Sequence, residues 1–223
     1  MYHVGDYFRF LLHRGPATIF WCGSDILNLE KSYFWWYTLP WEKAKHLCEN
    51  EIEQASLRNL GIPSEILPMC FDDIRINTHY KQSKTPHVYL CAQPGYEKEY
   101  GVDVIEKFAC LLPETTFHIY GIKQQSKNKN VVFHGKVSNE QFTKEIKQYQ
   151  AGLRLNKFDG FSEVLAKSVL MGQYPISMIK YPFITYVENI GSLIIALRNL
   201  KYNKKSNFQA RDFWIKKLSI RFK

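Results

Sequence analysis

From His87 onward, short apolar runs alternate with longer stretches whose apolar residues recur every three or four positions, and this alternation restricts the fold more than any other feature. Parallel strands cannot be joined by a tight turn. Each needs a crossover of about a dozen or more residues, usually a helix. A chain that alternates the two periods therefore builds βαβ units and a mainly parallel sheet. Strands are expected at His87 to Ala92, Thr116 to Tyr120, Val131 to His134, Gly152 to Leu155 and Tyr174 to Ser177. Helices are expected at Val102 to Leu112, Asn139 to Gln148 and Glu163 to Met171. That series makes a complete doubly wound α/β domain, and such sheets bind ligands at the carboxyl ends of their strands.

Upstream the same reading is shorter. Ala17 to Cys22 is a buried strand ended by Gly23-Ser24-Asp25, Lys45 to Cys48 a short strand, and Glu51 to Leu60 a helix closed by Gly61. Glu65 to Met69 makes one more strand. Phe71 to Pro86 is polar and aperiodic and reads as a linker, which puts a boundary near Lys84. The expected organisation is thus an abbreviated domain with its linker over 1–83, a larger domain over 84–201, and a basic aromatic segment over 202–223.

Composition narrows the function classes. Hydrophobic residues make up 45% and charged residues 23%, which excludes a disordered chain, while 15% aromatic is high enough to require cores or a binding surface. The net charge of +9 favours anionic partners such as nucleotide phosphates or lipid headgroups. No nucleic acid partner is expected, because no aromatic-basic RNA-recognition motif accompanies the charge. The five cysteines are an odd number without a CxxC pair, so they read as reduced, buried and apolar, with no metal site. MYHVGDYFRF lacks the apolar core of a signal peptide, and no run approaches the ~18 apolar residues of a membrane span. A cytoplasmic location, soluble or peripheral at a membrane, is the expectation. No P-loop and no nucleophile motif is present.

Glycine stands in or beside the strand ends Gln93-Pro94-Gly95-Tyr96, Tyr120-Gly121, His134-Gly135-Lys136-Val137 and Asn156-Lys157-Phe158-Asp159-Gly160-Phe161-Ser162, where backbone can approach a ligand closely. The most informative stretch is Gly152 to Ser177, in which a strand runs through Asp-Gly-Phe-Ser into a helix. The first turn of that helix offers N–H groups and positive potential to an anion. A phosphate there would meet the Ser162 hydroxyl and charge from Lys157 or Arg154. The alternative is that Ser162 simply caps the helix.

The order strand, acidic-Gly-aromatic-small turn, helix, Gly-x-x-Pro-Ile, carried here by Asp159, Gly160-Phe161-Ser162 and Gly172-Gln173-Tyr174-Pro175-Ile176, resembles the donor-binding motif of retaining GT-B glycosyltransferases. Those are the relatives of glycogen synthase and the bacterial polysaccharide transferases (glycosyl transferases group 1). Gly101 to Gly121 and Val131 to Phe142 are similar to that family's following elements, and Ile19 to Leu27 with His46 to Pro68 to the last parts of its acceptor domain. The resemblance implies two Rossmann-like domains with parallel sheets, the first truncated. It implies a metal-independent, retaining transfer from a nucleotide-sugar such as a UDP- or GDP-sugar to a glycan or lipid acceptor, with no other cofactor.

Carried over residue by residue, it places Asp25 and Asp159 as catalytic candidates. Gly95, Tyr96, Lys98, Gly121, Lys136, Val137, Arg154, Lys157, Gly160, Phe161, Ser162, Glu163 and Lys167 become donor contacts. Three departures stand out. Lys167 occupies the family's second acidic position, where a hydroxyl acceptor becomes a donor-only cation. The loop after the first strand of the larger domain offers only Lys98 as a phosphate cation, and the first half lacks the family's glycine-rich amino-terminal loop. A catalytically decayed nucleotide- or sugar-binding module is the alternative reading. The aromatic run Tyr33-Phe34-Trp35-Trp36-Tyr37 with Trp41 reads as core packing, or else as sugar or lipid contact. The tail Phe213 to Lys223 reads as an interfacial helix or as a terminal helix that returns across the other domain.

Overall fold

The computed structural model describes residues 4–31, 40–70 and 73–219; the aromatic run 33–37 and residues 220–223 of the tail lie outside them. The chain forms two compact units. One holds the described residues up to Met69 together with Phe158–Phe161, the other Cys70–Lys157 and Ser162–Ser219.

The first unit contains helix α1 (Val4–Leu12), strand β1 (Ala17–Phe20), helix α2 (Ser24–Lys31), strand β2 (Ala44–Cys48), helix α3 (Glu51–Asn59) and strand β3 (Glu65–Ile66). Its sheet is parallel, in the order β1-β2-β3. β3 is shorter than its apolar pattern suggests, because Leu67 N still bonds Cys48 O but Met69 N turns to the Glu49 side chain. The core gathers Phe10, Trp21, Ile26, Leu29, Trp41, Leu57 and Ile62, with Phe158 against it. Inside it, Trp21 Nε1 donates to His46 Nδ1 at 3.0 Å, and His46 Nε2 lies 2.8 Å from Trp41 O, so the imidazole is fixed as one neutral tautomer. Burial pushes the His46 pKa down.

The second unit runs β4 (His87–Cys91), α4 (Val102–Phe108), β5 (Thr116–Tyr120), β6 (Val131–Gly135), α5 (Asn139–Ile146), β7 (Ala151–Arg154), α6 (Glu163–Leu170), β8 (Ile176–Ser177), β9 (Thr185–Tyr186), α7 (Ile190–Asn199) and α8 (Phe208–Leu218). Its six strands are all parallel, in the order β6-β5-β4-β7-β8-β9. Because side chains alternate faces along a strand, Val88, Leu90 and Ala92 pack on one side with Val102, Ile105, Leu193 and Leu197. Tyr89 and Tyr120 pack on the other with Phe142, Ile146, Tyr149 and Val164.

Three expectations differ from the structure. The stretch expected as a linker is fastened to the second unit: His79 N bonds Met171 O, Tyr80 donates its hydroxyl to Asn203 O at 2.7 Å, and Gln82 donates to Lys201 O at 2.8 Å. Its polar residues read as a linker because their partners lie far along the chain. Residues 213–218 of the tail lie in helix α8, which packs within the second unit: Trp214 and Leu218 are buried, and Arg211 Nε donates to Leu170 O at 2.9 Å at the carboxyl end of α6. Among the cysteines only Cys48 is buried and Cys110 is exposed; all five are free thiols. No helix of the described residues is long and apolar enough to cross a membrane.

Candidate functional site

Numbered from β4 as the first, the strands of the second unit follow the order 3-2-1-4-5-6, and the direction of winding reverses between β4 and β7. At that switch point the following loops diverge and leave a crevice at the strand ends, where doubly wound sheets take their ligands. β4 leads into Gln93–Tyr100 and β7 ends on Arg154. The Arg154 guanidinium lies 4.6 Å over the ring of Tyr100, which holds the cation at the switch point. Gly95 N donates to Glu97 Oε1 at 3.0 Å, and bonds from backbone N–H groups hold the Glu97 carboxyl below its usual range. Tyr96 and Lys98 are exposed on the same loop.

Gly121 follows β5 with φ +91, and a Cβ there would stand 2.1 Å from Ala92 O. The left-handed backbone and the neighbouring carbonyl both require glycine, so the turns after β4 and β5 can pass in contact. β6 ends at Gly135, with Lys136 exposed and Val137 packed against the Tyr89–Tyr120 face. Cys91, at the end of β4, has its thiol pushed up to about 12 by burial, opposed by the positive charges of Arg154 and Lys167.

Ser162 caps α6, its Oγ accepting from Leu165 N at 3.3 Å. Glu163 begins the helix and accepts from the Cys70 thiol at 3.6 Å. Lys167 is 3% exposed, and its ammonium donates to Asn139 Oδ1 at 2.8 Å and Thr143 Oγ1 at 2.9 Å, 5.6 Å from the centre of the Phe142 ring. It ties α6 to α5. Lys157 is exposed before the chain enters the first unit at Phe158.

Asp159, Gly160 and Phe161 belong to the first unit, where they meet a group of buried carboxylates that sequence reading passed over. Glu53 takes Gly23 N at 2.5 Å and Glu49 N at 2.7 Å. Glu49 takes Met69 N at 3.2 Å and the backbone of Phe161. Asn50 caps α3 through Ile52 N and Glu53 N, both at 3.0 Å, and donates to Asp159 O at 2.6 Å. A Cβ on Gly160 would come within 1.7 Å of Glu49 Oε2, so any side chain here must push the Glu49 carboxyl aside.

Asp25 sits on the first turn of α2, 6% exposed, beside Cys22 and Glu53. Burial, then the charge of Glu53, pushes Glu49 up to about 8; burial likewise pushes Glu53 up to about 7, against the pull of its two N–H bonds. The clue in the sequence was Glu49-Asn50-Glu51-Ile52-Glu53, where one acid precedes the Asn50 cap and another lies in the first turn of the helix it starts. Only their burial distinguishes them from a solvated pair. Among the described residues no group of three or more His, Cys, Asp or Glu is placed to hold a metal ion.

No family model and no curated protein matches the chain. Its fold is nevertheless that of solved glycosyltransferases. A point mutant of S. aureus TarM, solved with Fondaparinux, α-GlcNAc-glycerol and UDP, superposes with a TM-score of 0.59 at 15% identity, over 78% of this chain and 41% of that one. Sucrose-phosphate synthase from Thermosynechococcus elongatus gives 0.60 at 11% identity, over 78% and 53%. The apo lipopolysaccharide outer core galactosyltransferase WaaB gives 0.55 at 16%, over 80% and 58%. The chain has the GT-B type of fold, and it spans about half the length of these neighbours.

Proposed function

We propose that this chain is a glycosyltransferase that takes a nucleotide-sugar, such as a UDP- or GDP-sugar, at the strand ends of its second unit and passes the sugar to a glycan or lipid acceptor. The observation that carries this is Arg154 held over Tyr100 at the β4/β7 switch point, beside glycine turns after β4, β5 and β6. A fixed guanidinium pairs well with a diphosphate, and its charge helps most as the diphosphate departs. In this reading Gly95, Tyr96 and Lys98 border the donor, Gly121 lets it approach the sheet, and Lys136 and Val137 meet the nucleobase. Ser162, Glu163 and Lys157 stand around the phosphates at the start of α6. Asp159 and Asp25 orient sugar and acceptor hydroxyls. Transfer is retaining and metal-independent, as in the family the sequence resembles, and no cofactor beyond the donor is needed. The protein works in the cytoplasm, with peripheral contact to a membrane where the acceptor is a lipid.

That a solved TarM complex contains UDP supports the choice of nucleotide. The test is calorimetry of UDP and GDP against the purified chain, followed by turnover of UDP- and GDP-sugars. Binding that is lost in Arg154→Ala supports the site, and no binding of either nucleotide defeats it.

One observation favours a second reading. Lys167 replaces a carboxylate of the resembling family and is spent on Asn139 and Thr143. A binding module that has lost transfer would retain nucleotide affinity and show no turnover with any donor.

A further inference from the structure

On the Tyr89–Tyr120 face of the second unit, three histidines from three neighbouring strands form one hydrogen-bonded row. His87 Nδ1 lies 2.9 Å from His118 Nε2, and His118 Nδ1 lies 2.9 Å from His134 Nε2. The rings stack as well as bond, at centroid distances of 5.2 and 5.1 Å. The row crosses the sheet diagonally, from the first residue of β4 to the end of β6. A register shift in the β5–β6 ladder at Ile119/Tyr120 sets His134 on Tyr120, 4.3 Å apart and inclined by 10°.

The titratable groups facing the row are Tyr120 of β5, Glu145 of α5 and Tyr149 beyond α5, while Tyr89 of β4 packs on Tyr149. Further along the layer Lys167 of α6 lies over Phe142, which packs on Tyr89 and Tyr120.

Proton bookkeeping gives the row a direction. Tyr120 donates to Glu145 Oε2 at 2.6 Å, so at 3.1 Å Tyr149 donates to the Tyr120 oxygen. His134 Nδ1 faces the same Oε2 at 3.7 Å and carries a proton there. Its Nε2 then accepts from His118 Nδ1, and His118 Nε2 accepts from His87 Nδ1. With three neutral rings every N···N contact holds one proton, and both branches end on the Glu145 carboxylate. One extra proton can enter at the outer nitrogen of His87 without breaking a bond. A charge on two adjacent rings sets N–H against N–H and opens the row.

We propose that this row is a pH-sensitive lock on the carboxyl end of β6. Neutral rings hold His134 on Tyr120, and a charge on His118 together with a neighbouring ring releases it. The next residue, Gly135, is the one through which β6 grips the β5 turn, by Gly121 N to Gly135 O at 2.8 Å and Gly135 N to Ile122 O at 2.9 Å. Burial holds all three imidazoles below the usual histidine range, His118 down to about 3, so the lock is closed at neutral pH. Resting on the donor-site reading above, opening loosens Lys136 and Val137 and weakens nucleotide binding in acid.

The experiment uses the full chain and its Glu145→Gln form. Ring nitrogens and the Phe133–Val137 amides are followed by NMR from about pH 8 to about pH 3, and UDP affinity is measured at about pH 7.5 and about pH 3.5. Expected are three neutral rings at the high pH and β6 amides that move together with the ring signals. That transition should lie at lower pH in Glu145→Gln, because the carboxylate that favours the His134 proton is gone. UDP's own titration is common to both proteins, so on acidification the wild type should lose affinity by a factor about threefold or more larger than Glu145→Gln does. Histidines that titrate independently near their ordinary value, or β6 amides that stay still, overturn the lock. Amides that move while UDP affinity falls equally in both proteins overturn its link to the nucleotide. UDP binding at neither pH defeats the donor site and leaves the lock to be judged by the amides.

Discussion

Replacing Gly160 by alanine tests how the Asp-Gly-Phe segment is held. The new Cβ would lie 1.7 Å from Glu49 Oε2 and 2.8 Å from its Cδ, inside any allowed contact. The carboxyl group must retreat by about 1.5 Å to reach ordinary separation, and it then loses its bonds from Met69 N and the Phe161 backbone. Burial keeps Glu49 largely protonated at neutral pH, so each bond contributes about 0.5–1.5 kcal/mol, and the retreating carboxyl regains water, from which burial had removed it at some cost. The net loss expected is that of an overpacked core, about 1–3 kcal/mol.

A double-mutant cycle isolates the contact. Glu49→Ala removes the obstacle, so Gly160→Ala should cost at least about 1 kcal/mol less in that background. Urea unfolding of the wild type, both single variants and the double variant, followed by circular dichroism, measures the four stabilities. A Gly160→Ala cost that is equal in both backgrounds to within about 0.5 kcal/mol refutes the packing described here.

Gly121→Ala combines a left-handed backbone with a backbone oxygen 2.1 Å from the new Cβ; it should lower stability by about 2 kcal/mol or more in the same urea assay and abolish UDP binding. Lys167→Met leaves Asn139 and Thr143 without the ammonium and should cost about 1–3 kcal/mol with nucleotide affinity little changed, whereas a large drop in affinity at full stability would make Lys167 a donor contact. The buried carboxyls set the pH dependence of the first unit. Folding raises Glu49 from 4.5 to about 8 and Glu53 from 4.5 to about 7, so between those limits the folded form binds more protons than the unfolded one. Stability is therefore fully present below about pH 4.5 and is lost as pH rises through the folded values, at up to about 1.4 kcal/mol per pH unit for each group. Hydrogen exchange over residues 44–59, corrected for intrinsic rates, should show greater protection at about pH 5.5 than at about pH 7.5. The depressed histidines of the second unit act in the opposite sense below about 6.5, and equal pH responses in the two units would contradict both assignments.

Local chemistry was readable from residue order alone. The switch between periods marked the parallel strands from His87 to Ser177, because alternation of faces and helical spacing are properties of a few neighbouring residues. Ser162 was legible as a cap and Gly61 as a helix end for the same reason. The two-residue strand β9 carried no period to read, with both residues exposed, and only pairing to β8 defines it. Tertiary structure decided what each side chain meets. Lys167 stood among the expected donor contacts, and only the fold shows that Asn139 and Thr143 of α5 hold its ammonium. The polar stretch before β4 looked like a linker until Asn203 and Lys201 came round to bond it. Glu49 and Glu53 drew no reading from residue order; the backbone of Gly23, Met69 and Phe161, closing over them, is what sets them apart. His87, His118 and His134 were scattered residues until a parallel sheet set them side by side. Sequence determines a residue's chemistry and its local period, whereas a partner distant along the chain becomes a neighbour only when folding repays the entropy of closing the loop between them.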